Sequence, residues 1–259
     1  MSGAVLIRLF VDADLAAGAE VALAPEQADY AGNVRRRAAG DEVLLFNGRD
    51  GEWLARIGSL GQGQATLAVR SRTRAQQAGS DLWLVFAPIK RARLAFIAEK
   101  ATELGVSALL PILTQRTIVT RLNAAALRAN VVEAAEQCGR LDVPEVREPA
   151  GLADLLAGWP AERRLLVCDE TGGGKPIAAA LAAKAGAGPA GTKPPGNGPA
   201  GAPWAVMIGP EGGYAPDELD ALAKLPFVTR VGLGPLVLQA DTAAVAALAC
   251  WQAVAGAWK

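Results

Sequence analysis

The sequence contains no histidine, only three cysteines and two methionines, and just 5% aromatic residues. Without histidine there is no Ser-His-Asp triad, no histidine general base and no histidine-bearing zinc site. Cys138, Cys168 and Cys250 are odd in number and widely spaced, with no C-x-x-C pair. That pattern predicts a reducing, cytoplasmic setting rather than a disulfide framework, and no metal site is expected. No run of about 18 apolar residues occurs, so no membrane span is expected. The first residues lack a basic stretch leading into an apolar one, so no secretory signal is expected either. Net charge is also missing, with 26 Lys and Arg against 26 Asp and Glu. A neutral total excludes a global field that would attract nucleic acid.

What is present is enough chain for a core: 259 residues, 51% of them hydrophobic, fit one to two domains at roughly 150 residues each. The neutral total hides local imbalance. Between residues 88 and 130, Lys90, Arg91, Arg93, Lys100, Arg116, Arg121 and Arg128 stand against only Glu99 and Glu103. Arg70, Arg72 and Arg74 alternate, so in an extended strand they share one face. Arg35, Arg36 and Arg37 end an expected helix. Basic stripes beside a neutral total suit a protein that touches a phosphate backbone on one side. Solvated faces and codon bias toward arginine explain the same residues about as well.

The first 75 residues read as a small β-barrel-like module. Strands are expected at Val5–Phe10, Val43–Phe46, Trp53–Ile57 and Ala65–Arg70, with a helix over Pro25–Arg37. Asn47-Gly48 and Asp50-Gly51 supply hairpin-turn chemistry. From about residue 80, strands and helices alternate. Strands are predicted at Leu82–Ala87, Ala108–Leu113, Leu165–Cys168, Trp204–Ile208 and Phe227–Val231. Helices are predicted at Arg91–Leu104, Ala124–Cys138, an Ala-rich segment ending near Lys184, Pro216–Leu225, and from about Thr242 onward. This order predicts a mostly parallel α/β sheet with its ligand site at the strand carboxyl ends. Residues 186–203, with six Gly and five Pro, read as a flexible insertion.

Three glycine-bearing strand exits carry the chemistry. Gly209-Pro210-Glu211-Gly212-Gly213 permits close backbone approach to a ligand, and Glu211 inside the turn suits a cationic or hydroxyl-rich ligand better than a phosphate. Asp169–Pro176 fails as a phosphate loop, because Asp169 and Pro176 stand where glycine and a hydroxyl residue are needed. The third exit runs from Gly232 to Pro235 and into the last helix, where Asp241 or Thr242 could simply act as a cap.

Taken in order, the segments are more specific than any one alone. They are Lys90…Glu99-Lys100-Ala101-Thr102-Glu103-Leu104-Gly105, Gln115-Arg116, Glu133 to Arg140, Ile208 to Gly213, and Leu233-Gly234…Leu238-Gln239-Ala240-Asp241-Thr242-Ala243. This series resembles the ribosomal RNA small subunit methyltransferase E family, which makes N3-methyluridine at uracil-1498 of 16S rRNA. The resemblance implies an N-terminal PUA-like RNA-binding domain over residues 1–75 and a C-terminal SPOUT α/β domain over 76–259, threaded as a deep trefoil knot. It also implies S-adenosyl-L-methionine as cofactor, the small ribosomal subunit as partner, and a homodimer.

The family pattern maps the cofactor onto Val167, Cys168 and Glu170 at the first exit, and Ile208, Gly209, Pro210, Gly212 and Gly213 at the second. Leu233, Gly234, Leu238 and Ala243 complete it at the third. Asp241 is the first choice as proton acceptor and Glu211 the second, with Arg116 or Arg140 as cations for the uracil oxygens. Arg8, Arg35, Arg36, Arg70, Arg72, Arg74, Lys90 and Arg93 are expected to hold RNA. Gln239 departs from the family, which has arginine there. That departure keeps open a catalytically impaired RNA-binding or ribosome-assembly factor. A relative methylating ribose 2′-hydroxyls or tRNA is the other alternative.

Overall fold

The structure, a computed structural model, describes residues 6–61, 63–119, 121–185 and 203–258. Val5 of the first expected strand, and all of the expected 186–203 insertion except Pro203, lie outside the described residues. The chain divides into two units, Met1–Ala78 with Val132–Val143, and Gly79–Val131 with Pro144–Lys259. The sequence division at residue 75 had left 132–143 with the second module.

The first unit holds β1 (Arg8–Phe10), β2 (Glu20–Ala22), β3 (Glu42–Phe46), β4 (Glu52–Gly61) and β5 (Gln64–Arg74) in one sheet of order β1-β3-β4-β5-β2. β1 pairs parallel with β3, and the other pairs are antiparallel. β5 buries Ala65, Leu67 and Val69 on alternate positions, the period-two signature of a sheet with one face on a core. That core gathers Leu9, Val21, Val43, Leu45, Ile57 and Leu67. Each such buried aliphatic side chain contributes about 1.5–3 kcal/mol. β2, only three residues long, shows no readable alternation and exists because β5 supplies its partner.

Two expectations fail here for local reasons. The helix predicted over Pro25–Arg37 is α1 (Pro25–Asp29) followed by a π-helical turn at Tyr30–Val34. Gly32, Asn33 and Val34 are weak helix formers, and Arg36 has φ +52°, outside any helix. The Arg70–Arg72–Arg74 stripe is also broken. Glu52 pairs with Arg74 but Trp53 with Arg72, and Leu54 pairs with Ser71 but Ala55 with Val69. Thr73 and Arg70 are therefore the extra residues of two irregularities that re-aim their neighbours.

The second unit is built on parallel strands in the order β11-β13-β10-β12-β6-β7-β8, with β9 paired to β7. These are β6 (Leu82–Phe86), β7 (Ala108–Leu113), β8 (Glu145–Val146), β9 (Ala150–Gly151), β10 (Arg164–Cys168), β11 (Lys175–Pro176), β12 (Trp204–Ile208) and β13 (Val228–Gly232). Every residue of β12 is buried, as expected of a strand covered on both faces. The helices of this unit are α2 (Arg91–Glu103), α4 (Leu152–Ala157), α5 (Ile177–Ala185), α6 (Pro216–Ala223) and α7 (Ala240–Val254); α3 (Ala124–Cys138) ends among the residues of the first unit. β13, β10 and β12 are neighbours, so the turns leaving them open side by side at one edge of the sheet. No helix among the described residues is long and apolar enough to cross a membrane.

Candidate cofactor and RNA sites

The turns after β10, β12 and β13, with the start of α7, enclose a cavity of about 650 Å³, within the range of small-molecule sites. Cys168 and Glu170 line it from the first exit, Ile208, Gly209, Pro210, Glu211 and Gly213 from the second, and Leu233, Gly234, Leu238 and Ala243 from the third. Val167 and Gly212 are not in the lining. Val167 belongs to the buried strand core, and Gly212 instead presents its carbonyl to Arg116 Nη1 at 3.1 Å. Asp169, Thr171 and Gln239 line the cavity as well. Sequence reasoning missed them as site residues although it marked their turns.

Packing explains the glycines. Gly213 has φ +68°, and a Cβ there would collide with the Glu170 carboxylate, whose Oε1 accepts the Tyr214 N–H at 3.2 Å. Gly209 leaves room for the buried Tyr214 ring, which a Cβ would meet at 2.8 Å. Asp169 takes N–H and hydroxyl donors from Thr171 at 3.0 and 2.7 Å, and Arg230 at 2.6 Å. Burial works against its charge, but the Thr171 and Arg230 bonds outweigh burial and hold its carboxyl below the usual range. Burial pushes the Cys168 thiol up to about 12, so it stays protonated.

The second exit is braced from outside. The buried Glu218 carboxylate accepts the N–H groups of Ala215 and Gln115, each at 2.9 Å. Gln115 Nε2 also donates to Asp217 at 2.6 Å. Pro216 opens α6 and Glu218 sits in its first turn, half of a capping box recruited to hold a distant loop.

The expected catalytic set is only partly brought together. Glu211 lines the cavity. Asp241 does not; it sits in the first turn of α7 with Oδ1 accepting the Thr242 N–H at 2.9 Å. Arg116 is turned onto the Gly212 carbonyl. Arg140, 12% exposed, pairs with Asp142 at 3.0 Å and is absent from the lining. The cation that does line the cavity, among the described residues, is Arg93. Its Nη1 lies 3.8 Å from Glu211 Oε1.

The RNA assignments divide similarly. Arg8 is corrected to a structural role. Its guanidinium bonds Glu52 at 2.7 Å and the carbonyls of Ala135, Glu136 and Arg140, and it stacks 4.5 Å from the Phe46 ring. Arg74 shares Glu52 and donates to the Gly139 carbonyl at 2.7 Å. The two guanidiniums thus neutralise one buried carboxylate and satisfy carbonyls at and beyond the end of α3, where cations are favoured. Burial opposes the Glu52 charge, and bonds from Arg8, Arg74 and Thr73 keep its carboxyl low. Arg35, Arg36, Arg70, Arg72 and Lys90 are exposed. Among the described residues, no group of three or more His, Cys, Asp or Glu could hold a metal ion.

Comparison with known proteins supplies the family. Residues 76–252 match an RNA methyltransferase domain and residues 23–69 an RNA methyltransferase PUA domain. The chain is 27% identical to the ribosomal RNA small subunit methyltransferase E of Rickettsia conorii, over 93% of each chain. It is 29% identical to the protein of that name from Synechocystis, over 93% of this chain and 76% of the relative. The Neisseria gonorrhoeae ribosomal RNA small subunit methyltransferase E, solved bound to S-adenosyl methionine, superposes with a TM-score of 0.81 at 25% identity, covering 98% of this chain and all of that one. A putative methyltransferase of Legionella pneumophila, in complex with the same cofactor, reaches 0.78 at 27% identity, over 96% and 97%. The chain belongs to the RNA methyltransferase family that joins this domain to a PUA domain, that of the ribosomal RNA small subunit methyltransferases E.

Proposed function

We propose that the protein methylates N3 of a uridine in 16S rRNA of the small ribosomal subunit, at the family's uracil-1498, using S-adenosyl-L-methionine. The observation that carries this reading is the cavity at three adjacent strand ends, walled by glycine-bearing backbone, apolar Ile208, Leu238 and Ala243, and the carboxylates of Glu170 and Glu211. When bound, the cofactor supplies an electrophilic methyl on a cationic sulfonium. The backbone of 209–213 and 233–238 would hold its adenine and methionine parts, and the carboxylates complement its charge. Uracil N3–H is an imide, poorly nucleophilic until ionised, so the site must favour the uridine anion. Glu211, facing the cavity, is better placed than Asp241 to take the proton. Positioning of N3 supplies the remaining acceleration. Arg35, Arg36, Arg70, Arg72 and Lys90 would contact RNA phosphates.

A cytoplasmic homodimer completes the reading. Leu236 and Val237, which line the cavity, are 76% and 81% exposed, apolar surface that a second copy would cover. The test is incubation with labelled cofactor and small subunits lacking the modification, followed by nucleoside mass spectrometry. N3-methyluridine is expected, and label on a ribose or on no nucleotide would overturn it.

A further inference from the structure

We propose that Arg93, rather than Arg116 or Arg140, is the catalytic cation that stabilises negative charge on a carbonyl oxygen of the target uracil, and that Glu211 is the residue that orients it. The inference rests on uridine N3 methylation and adds to it the group that makes N3 reactive.

Uracil presents an imide edge of O4, N3–H and O2, an acceptor, a donor and an acceptor. The methyl must reach N3 along the same in-plane direction by which its proton leaves. A carboxylate placed on that line would obstruct transfer, whereas a cation at O2 or O4 can stay in contact from ionisation to product. Among the described residues, the cavity lining offers one side chain of that kind. Arg93, from the first turn of α2, lines the cavity beside Glu211. At 3.8 Å their closest approach is an ion pair too long for a hydrogen bond, and the side chains are 37% and 41% exposed. Both keep donor and acceptor capacity for a base, and neither is buried beyond its reach.

The other two arginines are committed. Arg116 donates to the Gly212 carbonyl, and Arg140 is paired with Asp142. A guanidinium beside a carboxylate also discriminates bases. It donates to O4 of uracil but meets only the amino donor of cytosine at that position.

The step balances simply. The N3 proton passes to water and on to Glu211 while Arg93 neutralises the charge left on the uracil oxygens. The N3 lone pair then forms the N–C bond as the C–S bond breaks, its electron pair remaining on sulfur as a neutral thioether.

Two measurements test this. The first is kcat against pH for wild type, Arg93→Lys and Arg93→Gln on small subunits. Arg93→Gln should lose about 10²-fold near neutral pH, the scale of one oxyanion donor, with the deficit shrinking as pH rises and ionises uracil unaided. Arg93→Lys should recover part of the loss, and calorimetric affinity for S-adenosylmethionine should be unchanged. The second measurement needs no turnover. A 16S hairpin carrying 5-fluorouridine at the target is titrated by ¹⁹F NMR with cofactor-free protein. Wild type should lower the pH at which the base ionises, and Arg93→Gln should not.

A pH-independent deficit confined to KM for the subunit would make Arg93 a phosphate contact and overturn the proposal. So would a tenfold loss of cofactor affinity. Ribose methylation by wild type would overturn both this inference and the reading beneath it, whereas N3-methyluridine from wild type with a normal Arg93→Gln pH profile would remove only the inference.

Discussion

Arg230 reaches the fully buried carboxylate of Asp169 through Nη2 at 2.6 Å and Nε at 3.1 Å, joining the end of β10 to β13. Asp169 lines the cavity, so this pair fixes the spacing of two of its three walls. Removing one partner leaves a buried charge uncompensated, which costs about 3 kcal/mol. Arg230→Met should lower the melting temperature by several degrees and weaken cofactor binding in calorimetric titration. Unchanged values in both would show that the pair does not shape the site.

At Gly213 two penalties coincide, a left-handed backbone and a collision with Glu170. Gly213→Ala should reduce cofactor affinity by at least about tenfold, the backbone alone costing about 1–2 kcal/mol. Glu170→Ala added to it removes the collision but not the backbone strain, so the double variant should recover part of the affinity lost through displacement of the loop. Calorimetry on both variants and on Glu170→Ala alone, which reports what the carboxylate itself contributes to cofactor binding, separates the contributions.

The Glu218 carboxylate accepts two backbone N–H groups, those of Gln115 and Ala215, at 2.9 Å each. Leaving such donors unmet costs about 1–3 kcal/mol. Glu218→Ala should therefore lower stability and raise hydrogen exchange at Gln115, whereas Glu218→Gln, keeping an acceptor oxygen, should do less. Equal exchange in all three proteins would refute the brace.

Glu136 gives the first unit a pH signature. Its carboxylate accepts the Phe10 N–H at 2.9 Å. Burial raises its pKa to about 7, with repulsion from Glu133 adding to burial and the Phe10 bond and Arg8 opposing it. Between the ordinary value of 4.5 and about 7, the folded form keeps a proton that the unfolded chain has released. Stability therefore falls as pH rises through that window and levels off above it. Glu136→Gln should remove this slope and melt a few degrees higher than wild type at pH 8. A wild-type slope that persists in Glu136→Gln belongs to another group.

The basic residues of β5 should separate by salt dependence. Arg70→Ala or Arg72→Ala should weaken RNA binding and reduce the slope of log K against log salt by about one each. Arg74→Ala should act mainly on thermal stability, because its guanidinium is engaged with Glu52 and Gly139. Equal salt slopes for all three would contradict this division.

Much of the fold was legible because its signals are local. Unbroken apolar runs such as Trp204–Ile208 mark strands covered on both faces, and glycine after each of three strands marks the exits where a backbone-lined site can form. The helix over Pro25–Arg37 failed through weak helix formers at its middle. The arginine stripe failed through irregularities that are set by pairing with β4.

Composition and order alone determined the chemistry that histidine's absence excludes, the alternating strands and helices of the second unit, and the turns that wall its cavity. Each depends on residue identity or short-range periodicity. Tertiary structure alone decided which charges are available. Arg8 and Arg93 are the same residue type, yet one bonds carbonyls beside a buried glutamate and the other faces a cavity. A side chain's partner is chosen by long-range packing, as when Glu52 meets Arg8 and Glu218 meets Gln115, and no spacing within the chain encodes that meeting.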